Sequence, residues 1–200
     1  MRTNLNKFQR CPGCGNYLIH VAIKQAITEL GIPKHKVVVV TGIGCNSKMS
    51  QYLDYYGVET LHGRPIPFAM GVKLANPELT IISMEGDGGS YGIGLGHLLH
   101  AARRNVPILH ITCDNENYAL TTGQASATTP ENVKTKSTPT GNTVPPFHPL
   151  HLVESAGGKF VRIVQDKEVQ NLKDTLKEAL QFSGFSHINV QQACPSRKRW

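Results

Sequence analysis

Thr80-Ile81-Ile82-Ser83-Met84-Glu85-Gly86-Asp87-Gly88 is the stretch that decides the fold. Its apolar run ends in Gly86-Asp87-Gly88, a helical segment follows, and a second apolar run over 107–113 delivers Asp114-Asn115. A strand, a crossover helix and a parallel strand join with right-handed geometry, which brings both strand ends to one edge of a sheet. Open α/β sheets bind ligands at that carboxyl edge. The Asp87 carboxylate is therefore expected beside the amide oxygen of Asn115, with a Gly-rich turn between them. Two hard oxygen donors suit Mg²⁺, which completes its octahedron with phosphate oxygens. Glycines let backbone N–H groups approach a phosphate closely, and the helix that follows offers its positive end. The pattern reads as a diphosphate–Mg²⁺ site. The plainer reading is a strand-ending turn with Asp87 as helix N-cap.

Outward from this unit, strands and helices alternate. Residues 15–30 place Leu18, Val21, Ala22, Ile23, Ala26, Ile27 and Leu30 at helical spacing, stopped by Gly31 and Pro33. The β-branched run Val37-Val38-Val39-Val40 marks a strand buried on both faces of a parallel sheet. It ends in the turn Thr41-Gly42-Ile43-Gly44-Cys45-Asn46. Further helices are expected over 68–75, 95–104, 148–156 and 166–182, with strands over 159–164 and 187–191. Residues 114–149 are rich in Thr, Gly, Pro, Asn and Ser, and so long a loop is usually functional or disordered. The expectation is one domain, 1–200, with a doubly wound, mostly parallel α/β sheet flanked by helices. It carries an N-terminal CxxC segment over 1–15 and an active-site loop over 119–149.

The 200 residues are 40% hydrophobic and 18% charged, values that suit a folded domain with a proper core. No apolar run is long enough to span a bilayer, and Met1-Arg2-Thr3-Asn4-Leu5-Asn6 has no signal-peptide core. A cytoplasmic location without a membrane partner is expected. The formal charge of +7 concentrates at Arg197-Lys198-Arg199, Arg103-Arg104 and Lys134 with Lys136. No interleaved aromatics or nucleic-acid motif accompany it, so phosphorylated ligands or acidic partners account for it without nucleic acid.

Five cysteines in such a chain point to metal or catalysis more than to disulfides. Cys11-Pro12-Gly13-Cys14-Gly15 offers two thiolates to one metal; Cys45 lies in the Gly-rich turn and Cys194 follows the last strand. Four such thiolates can hold zinc or an iron–sulfur cluster. Cys113 lies inside an apolar strand and reads as a buried thiol. His97 and His100 share a helix face with no acidic neighbour and read as packed; His148 and His151 read as loop caps around Pro149. Arg64 could meet a substrate carboxylate or anchor the turn before Pro65. Lys134 and Lys136 could read a carboxylate or coenzyme A phosphates.

Gly86-Asp87-Gly88 with Asn115 resembles the diphosphate-binding module of thiamine-diphosphate enzymes. Taken with further matches in order, the chain resembles the β subunit of the 2-oxoacid:ferredoxin oxidoreductases, the pyruvate and 2-oxoglutarate synthases. Those matches are Cys11-Pro12-Gly13-Cys14-Gly15, Gly42-Ile43-Gly44-Cys45, His62-Gly63-Arg64 and Asp114-Asn115-Glu116-Asn117-Tyr118. Thr121-Thr122-Gly123-Gln124-Ala125-Ser126, Lys134-Thr135-Lys136-Ser137 and Gly141-Asn142 complete the set.

The resemblance implies that Asp87, Asn115 and the Asn117 carbonyl bind Mg²⁺. It implies that Ile43, Gly44, Cys45, Asn46, His62, Gly88, Gly89, Ala119 and Leu120 contact thiamine diphosphate. Cys11, Cys14, Cys45 and Cys194 would ligate a [4Fe–4S] cluster. The implied reaction is oxidative decarboxylation of a 2-oxoacid to an acyl-coenzyme A, with electrons passed to ferredoxin. The glutamate that activates the cofactor would come from an α-type partner, so the chain alone would be inactive. Departures from the family pattern are Gly89 where Gly-Asp-Gly-Asp is usual, Asn16 for His, and Ala119 for Gly. Many relatives also extend beyond the fourth cysteine, so a compact or truncated variant is expected. Competing readings are a non-redox 2-oxoacid decarboxylase subunit, a zinc-stabilised α/β binding protein and a nucleic-acid-binding domain, the last explaining only the basic tail.

Overall fold

The computed structural model describes residues 11–199; the first ten residues of the expected CxxC segment, and Trp200, lie outside them. Six strands form one sheet: β1 (Val37–Thr41), β2 (Tyr56–Glu59), β3 (Thr80–Gly86), β4 (Leu109–Asp114), β5 (Phe160–Gln165) and β6 (Ser186–Gln191). Their order is β2-β1-β3-β4-β6-β5 and every pairing is parallel. Six α-helices connect them: α1 (Asn16–Glu29), α2 (Met49–Tyr52), α3 (Pro65–Ala75), α4 (Leu95–Arg104), α5 (Pro149–Ser155) and α6 (Val169–Gln181).

Alternation along β1 divides the core. Val37 and Val39 point into one layer with Ile23 and Ile27 of α1 and Leu172 and Leu176 of α6. Val38 and Val40 point into the other, with Ile66 and Ala69 of α3, Leu98 and Ala101 of α4, and Val153 of α5. A parallel strand covered by helices on both faces must be apolar throughout, and all five β1 residues are buried. The expected doubly wound α/β architecture is present, and truncating Ile23 to alanine would cost about 2–5 kcal/mol.

Local chemistry explains where the elements depart from expectation. The edge strand β2 escaped the sequence reading because Tyr56, Gly57 and Glu59 are exposed, so no apolar run marks it. Helix α3 starts at Pro65, where the fixed φ of proline suits a first helical turn, rather than at residue 68. Helix α6 starts at Val169 rather than 166, because the Asp166 carboxylate accepts the Ala193 N–H at 2.7 Å and its own N–H bonds Gln191 O. The segment after Asp87 does not enter an α-helix directly. Gly88–Ile93 winds as a π-helical turn, closed by Gly94 N–H donating to Gly89 O at 2.7 Å, before α4 begins.

The chain runs from β1 outward to β2 and then crosses back to β3, so the strand order reverses between β1 and β3. Loops leaving a sheet at such a point diverge and leave a crevice outside the strand ends.

Candidate functional site

A cavity of about 290 Å³ fills that crevice. The loop after β1 supplies Ile43, Gly44, Cys45 and Asn46, and the turn after β2 supplies His62. The end of β3 and the π-helical turn supply Gly86, Asp87, Gly88 and Gly89. The end of β4 and the loop beyond it supply Cys113, Asn115, Asn117, Tyr118, Ala119, Leu120 and Thr121; Gln192, after β6, completes the wall. The residues assigned from sequence to the diphosphate, the metal and the cofactor ring thus share one cavity. Arg64 is not among the lining residues: it is exposed, and its guanidinium donates to Gly63 O at 3.3 Å.

Asp87 is buried at the cavity floor, where Thr128 Oγ1 lies 3.0 Å from its Oδ2 and 2.7 Å from Asp114 Oδ1, its one proton shared between them. Burial, and then the neighbouring Asp114 carboxylate, push Asp87 up to about 7. Asp114 is also raised by burial. Two buried carboxylates bridged by one hydroxyl lack a positive charge, which a divalent cation would supply. Asn115 Oδ1 accepts the Asn117 N–H at 3.1 Å, and Asn117 Nδ2 donates to Asn115 O at 2.9 Å, so the two amides form one rigid turn. Asn117 Oδ1 and Asn46 Nδ2 are buried without a hydrogen-bond partner. Orphaned groups of this kind need explanation: one is an acceptor suited to a cation, the other a donor suited to a phosphate. The Asn117 carbonyl accepts the Ala119 N–H at 3.0 Å and keeps a second lone pair. This donor set fits a diphosphate–Mg²⁺ group.

The sequence reading missed Glu85 and Thr128. Glu85, at the end of β3, is almost fully buried; it accepts the Gly63 N–H at 2.7 Å and lies 3.3 Å from His62 Nδ1. That contact raises the His62 pKa above its ordinary value, against the opposing effect of burial. An acidic residue closing a buried strand is the signal that could have found Glu85. Thr128 sits in a loop without periodicity, and no sequence signal marks it.

The cysteines occupy one flank. The Cys14 and Cys194 loops run side by side: the Gly15 N–H donates to Ala193 O at 3.0 Å. Cys14 Sγ accepts Asn16 Nδ2 at 3.5 Å and Gln192 Nε2 at 3.7 Å, and Gln192 lines the same cavity as Cys45. Cys11 is exposed, and Cys113 is buried in the core as expected. Among the described residues no three His, Cys, Asp or Glu side chains gather tightly enough to hold a metal ion. The Cys14 and Cys194 loops nevertheless adjoin.

The long loop after β4 is ordered without helix or strand. Asn142 is its pin: its Nδ2 donates to Thr129 O and Val144 O at 2.8 Å, and its Oδ1 accepts the Val144 N–H. Arg197 pairs with Glu116, tying part of the basic C-terminal stretch to the loop after β4. Lys136 Nζ bonds Thr122 Oγ1, and Lys134 is exposed. No helix among the described residues is long and apolar enough to cross a membrane.

Comparison with known proteins agrees with this geometry. The family model described as thiamine pyrophosphate enzyme, C-terminal TPP binding domain, matches residues 31–190. The 2-oxoacid:ferredoxin oxidoreductase subunit beta of Saccharolobus solfataricus is 47% identical over 188 residues, 93% of this chain and 62% of that relative. The 2-oxoglutarate synthase subunit KorB of Archaeoglobus fulgidus is 38% identical over 199 residues, 100% of this chain and 74% of the relative. A solved 2-oxoglutarate:ferredoxin oxidoreductase from Magnetococcus marinus, with 2-oxoglutarate, coenzyme A and succinyl-CoA bound, superposes with a TM-score of 0.93 at 35% identity. That match covers 94% of this chain and 65% of the solved one. This chain thus spans about three-fifths of the Saccharolobus relative. A thiamine-type fold, a carboxyl-edge cavity and this degree of identity lead to one conclusion: the chain belongs to the β-subunit family of the 2-oxoacid:ferredoxin oxidoreductases.

Proposed function

We propose that this chain binds thiamine diphosphate and Mg²⁺ in the carboxyl-edge cavity. With an α-type partner subunit it would oxidatively decarboxylate a 2-oxoacid, pyruvate or 2-oxoglutarate, to an acyl-coenzyme A and CO₂. Ferredoxin would take the electrons in the cytoplasm. The observation that carries the reading is the single cavity in which buried Asp87, Asn115 and Asn117 meet the glycine turn Gly88-Gly89.

Asp87, Asn115 and Asn117 would hold the metal. The N–H groups of the π-helical turn and the Asn46 amide would face the diphosphate. His62, whose pKa the neighbouring Glu85 raises, would add a positive group to the wall when protonated. Ile43, Ala119 and Leu120 give the cofactor rings an apolar surface that excludes water. When bound, thiamine diphosphate supplies the electron sink for carbon–carbon cleavage beside the keto carbon. Lys134 and Lys136, exposed in the loop after β4, would meet a substrate carboxylate or the phosphates of coenzyme A.

Cys11, Cys14, Cys45 and Cys194 are the ligand set for a [4Fe–4S] cluster in this reading. Its support is the adjacency of their loops and the two amide donors on Cys14 Sγ. The Mg²⁺ constellation speaks against a zinc-stabilised binding protein, and the four loop cysteines speak against a non-redox decarboxylase.

The test is anaerobic co-expression with an α-type subunit. A brown complex containing iron, sulfide and thiamine diphosphate, which reduces ferredoxin with 2-oxoglutarate or pyruvate and coenzyme A, is expected. A colourless complex without ferredoxin reduction would overturn the redox reading. Loss of thiamine diphosphate on gel filtration with Mg²⁺ present would overturn the cofactor reading.

A further inference from the structure

Three glycines from three loops surround one buried carboxylate. A Cβ on Gly42 or on Gly89 would overlap the Glu85 carboxyl group. Gly63, held at φ +74°, offers its N–H to Glu85 Oε1 at 2.7 Å, and a Cβ there would meet Ile93 and Gly94. The same Oε1 lies 3.3 Å from Nδ1 of His62, whose ring lines the cavity. A single carboxylate therefore ties the loop after β1, the turn after β2 and the π-helical turn together, directly behind the cavity wall. Gly89 is also the position at which the chain departs from Gly-Asp-Gly-Asp.

We propose that Glu85 is a positioning residue that clamps the His62 turn to the cavity wall, and that position 89 is glycine because the Glu85 carboxyl occupies the space a side chain there would need. The clamp acts through geometry: fixing Gly63 by its N–H fixes the neighbouring His62 backbone, and the Glu85 carboxylate stands 3.3 Å from the ring's Nδ1. The two positions are mutually exclusive hosts for one carboxylate. This inference rests on the cavity being the thiamine diphosphate site for its functional consequence, but not for the clamp itself.

The experiment uses the full chain in four forms: wild type, Glu85→Ala, Gly89→Asp and the double variant Glu85→Ala/Gly89→Asp. Two quantities are measured, the hydrogen-exchange rate of the Gly63 amide by NMR and the affinity for thiamine diphosphate with Mg²⁺ by calorimetry. Glu85→Ala is expected to speed Gly63 exchange and to weaken binding about 10- to 100-fold, the usual range for losing a supporting partner. Gly89→Asp alone is expected to weaken binding, because two groups then compete for one space. The double variant is expected to recover most of the loss, which a merely space-filling role would not produce. Glu85→Gln keeps an acceptor for Gly63 but loses the charge facing His62. It is expected to retain Gly63 protection with an intermediate affinity, and it serves where the double variant does not fold.

Unchanged Gly63 exchange in Glu85→Ala, or a double variant that binds no better than Glu85→Ala, would overturn the proposal. Wild-type chain that binds no thiamine diphosphate overturns the cofactor reading instead, while Gly63 exchange still decides the role of Glu85.

Discussion

Asp87 is the residue whose chemistry is most exposed to test. It is held up to about 7, first by burial and then by Asp114, whereas an unfolded aspartate titrates near 3.9. Between those values the native chain keeps a proton that the unfolded chain has lost. The stabilising effect of this group is therefore complete at low pH and disappears as pH rises through about 7. Asp87→Asn removes a buried carboxylate from beside Asp114. Urea denaturation of the metal-free variant should match wild type near pH 4 and exceed it by about 2 kcal/mol near pH 8. The same substitution should weaken Mg²⁺-dependent binding of thiamine diphosphate about 100-fold, read by calorimetry. Equal stability at both pH values would mean that Asp87 is solvated rather than buried. Asp87 and Asn115 were legible in sequence because strand ends and a glycine turn mark them. Glu85 and Thr128 were not, because their roles arise only when loops distant in sequence meet.

At the scale of elements, β1, β3 and β4 could be read directly, since strands covered on both faces must be continuous apolar runs. Edge strand β2 could not, because one exposed side removes that signal. Nor could the π-helical turn after Asp87, where Gly89 packs against Glu85, Gly92 against Tyr118 and Gly94 against Gly63. The loop of 115–148 could be recognised as a long irregular segment from its composition, but its local structure depends on one buried side chain. Asn142 bonds four backbone groups, of Thr129, Pro130 and Val144, and Thr129 lies next to the Thr128 that braces Asp87. Asn142→Ala would leave buried carbonyls and an N–H unpaired, at a cost of about 1–3 kcal/mol. Limited proteolysis should then cut within 119–149 faster than in wild type, with the sheet intact by circular dichroism. Saturating thiamine diphosphate and Mg²⁺ should restore part of the protection, because ligand held through Asp87 braces the loop through Thr128. A cleavage pattern identical to wild type would show that the pin is dispensable.

Across the whole molecule, a polar spine crosses the centre of the sheet. His110 and His187 sit side by side on β4 and β6, fully buried, with ring centroids 5.6 Å apart. His110 lies between Ser83 and Ser90, at 3.0 and 2.9 Å. Tyr91 contacts His187 Nε2 at 2.9 Å and donates to Asn189, which in turn donates to Asp114 at the cavity floor. The core and the site are thus one connected hydrogen-bonded system. Burial holds both imidazoles neutral, lowering His187 to about 3 and His110 well below its ordinary value. An unfolded histidine binds a proton near pH 6.5, so below that value the unfolded chain gains protons that the native chain refuses. Stability is lost as pH falls from 6.5, each histidine contributing about 1.4 kcal/mol per pH unit. Asp87 opposes this over part of the same range, so the cleanest background is Asp87→Asn. There, urea unfolding between pH 6.5 and 4 should give a slope of about 3 kcal/mol per pH unit from the pair. Adding His187→Phe keeps an aromatic ring against His110 while removing one titrating group, and should halve that slope. A slope unchanged by the second substitution would mean that His187 is protonated in the native chain, and with it that the spine carries charge through the middle of the sheet.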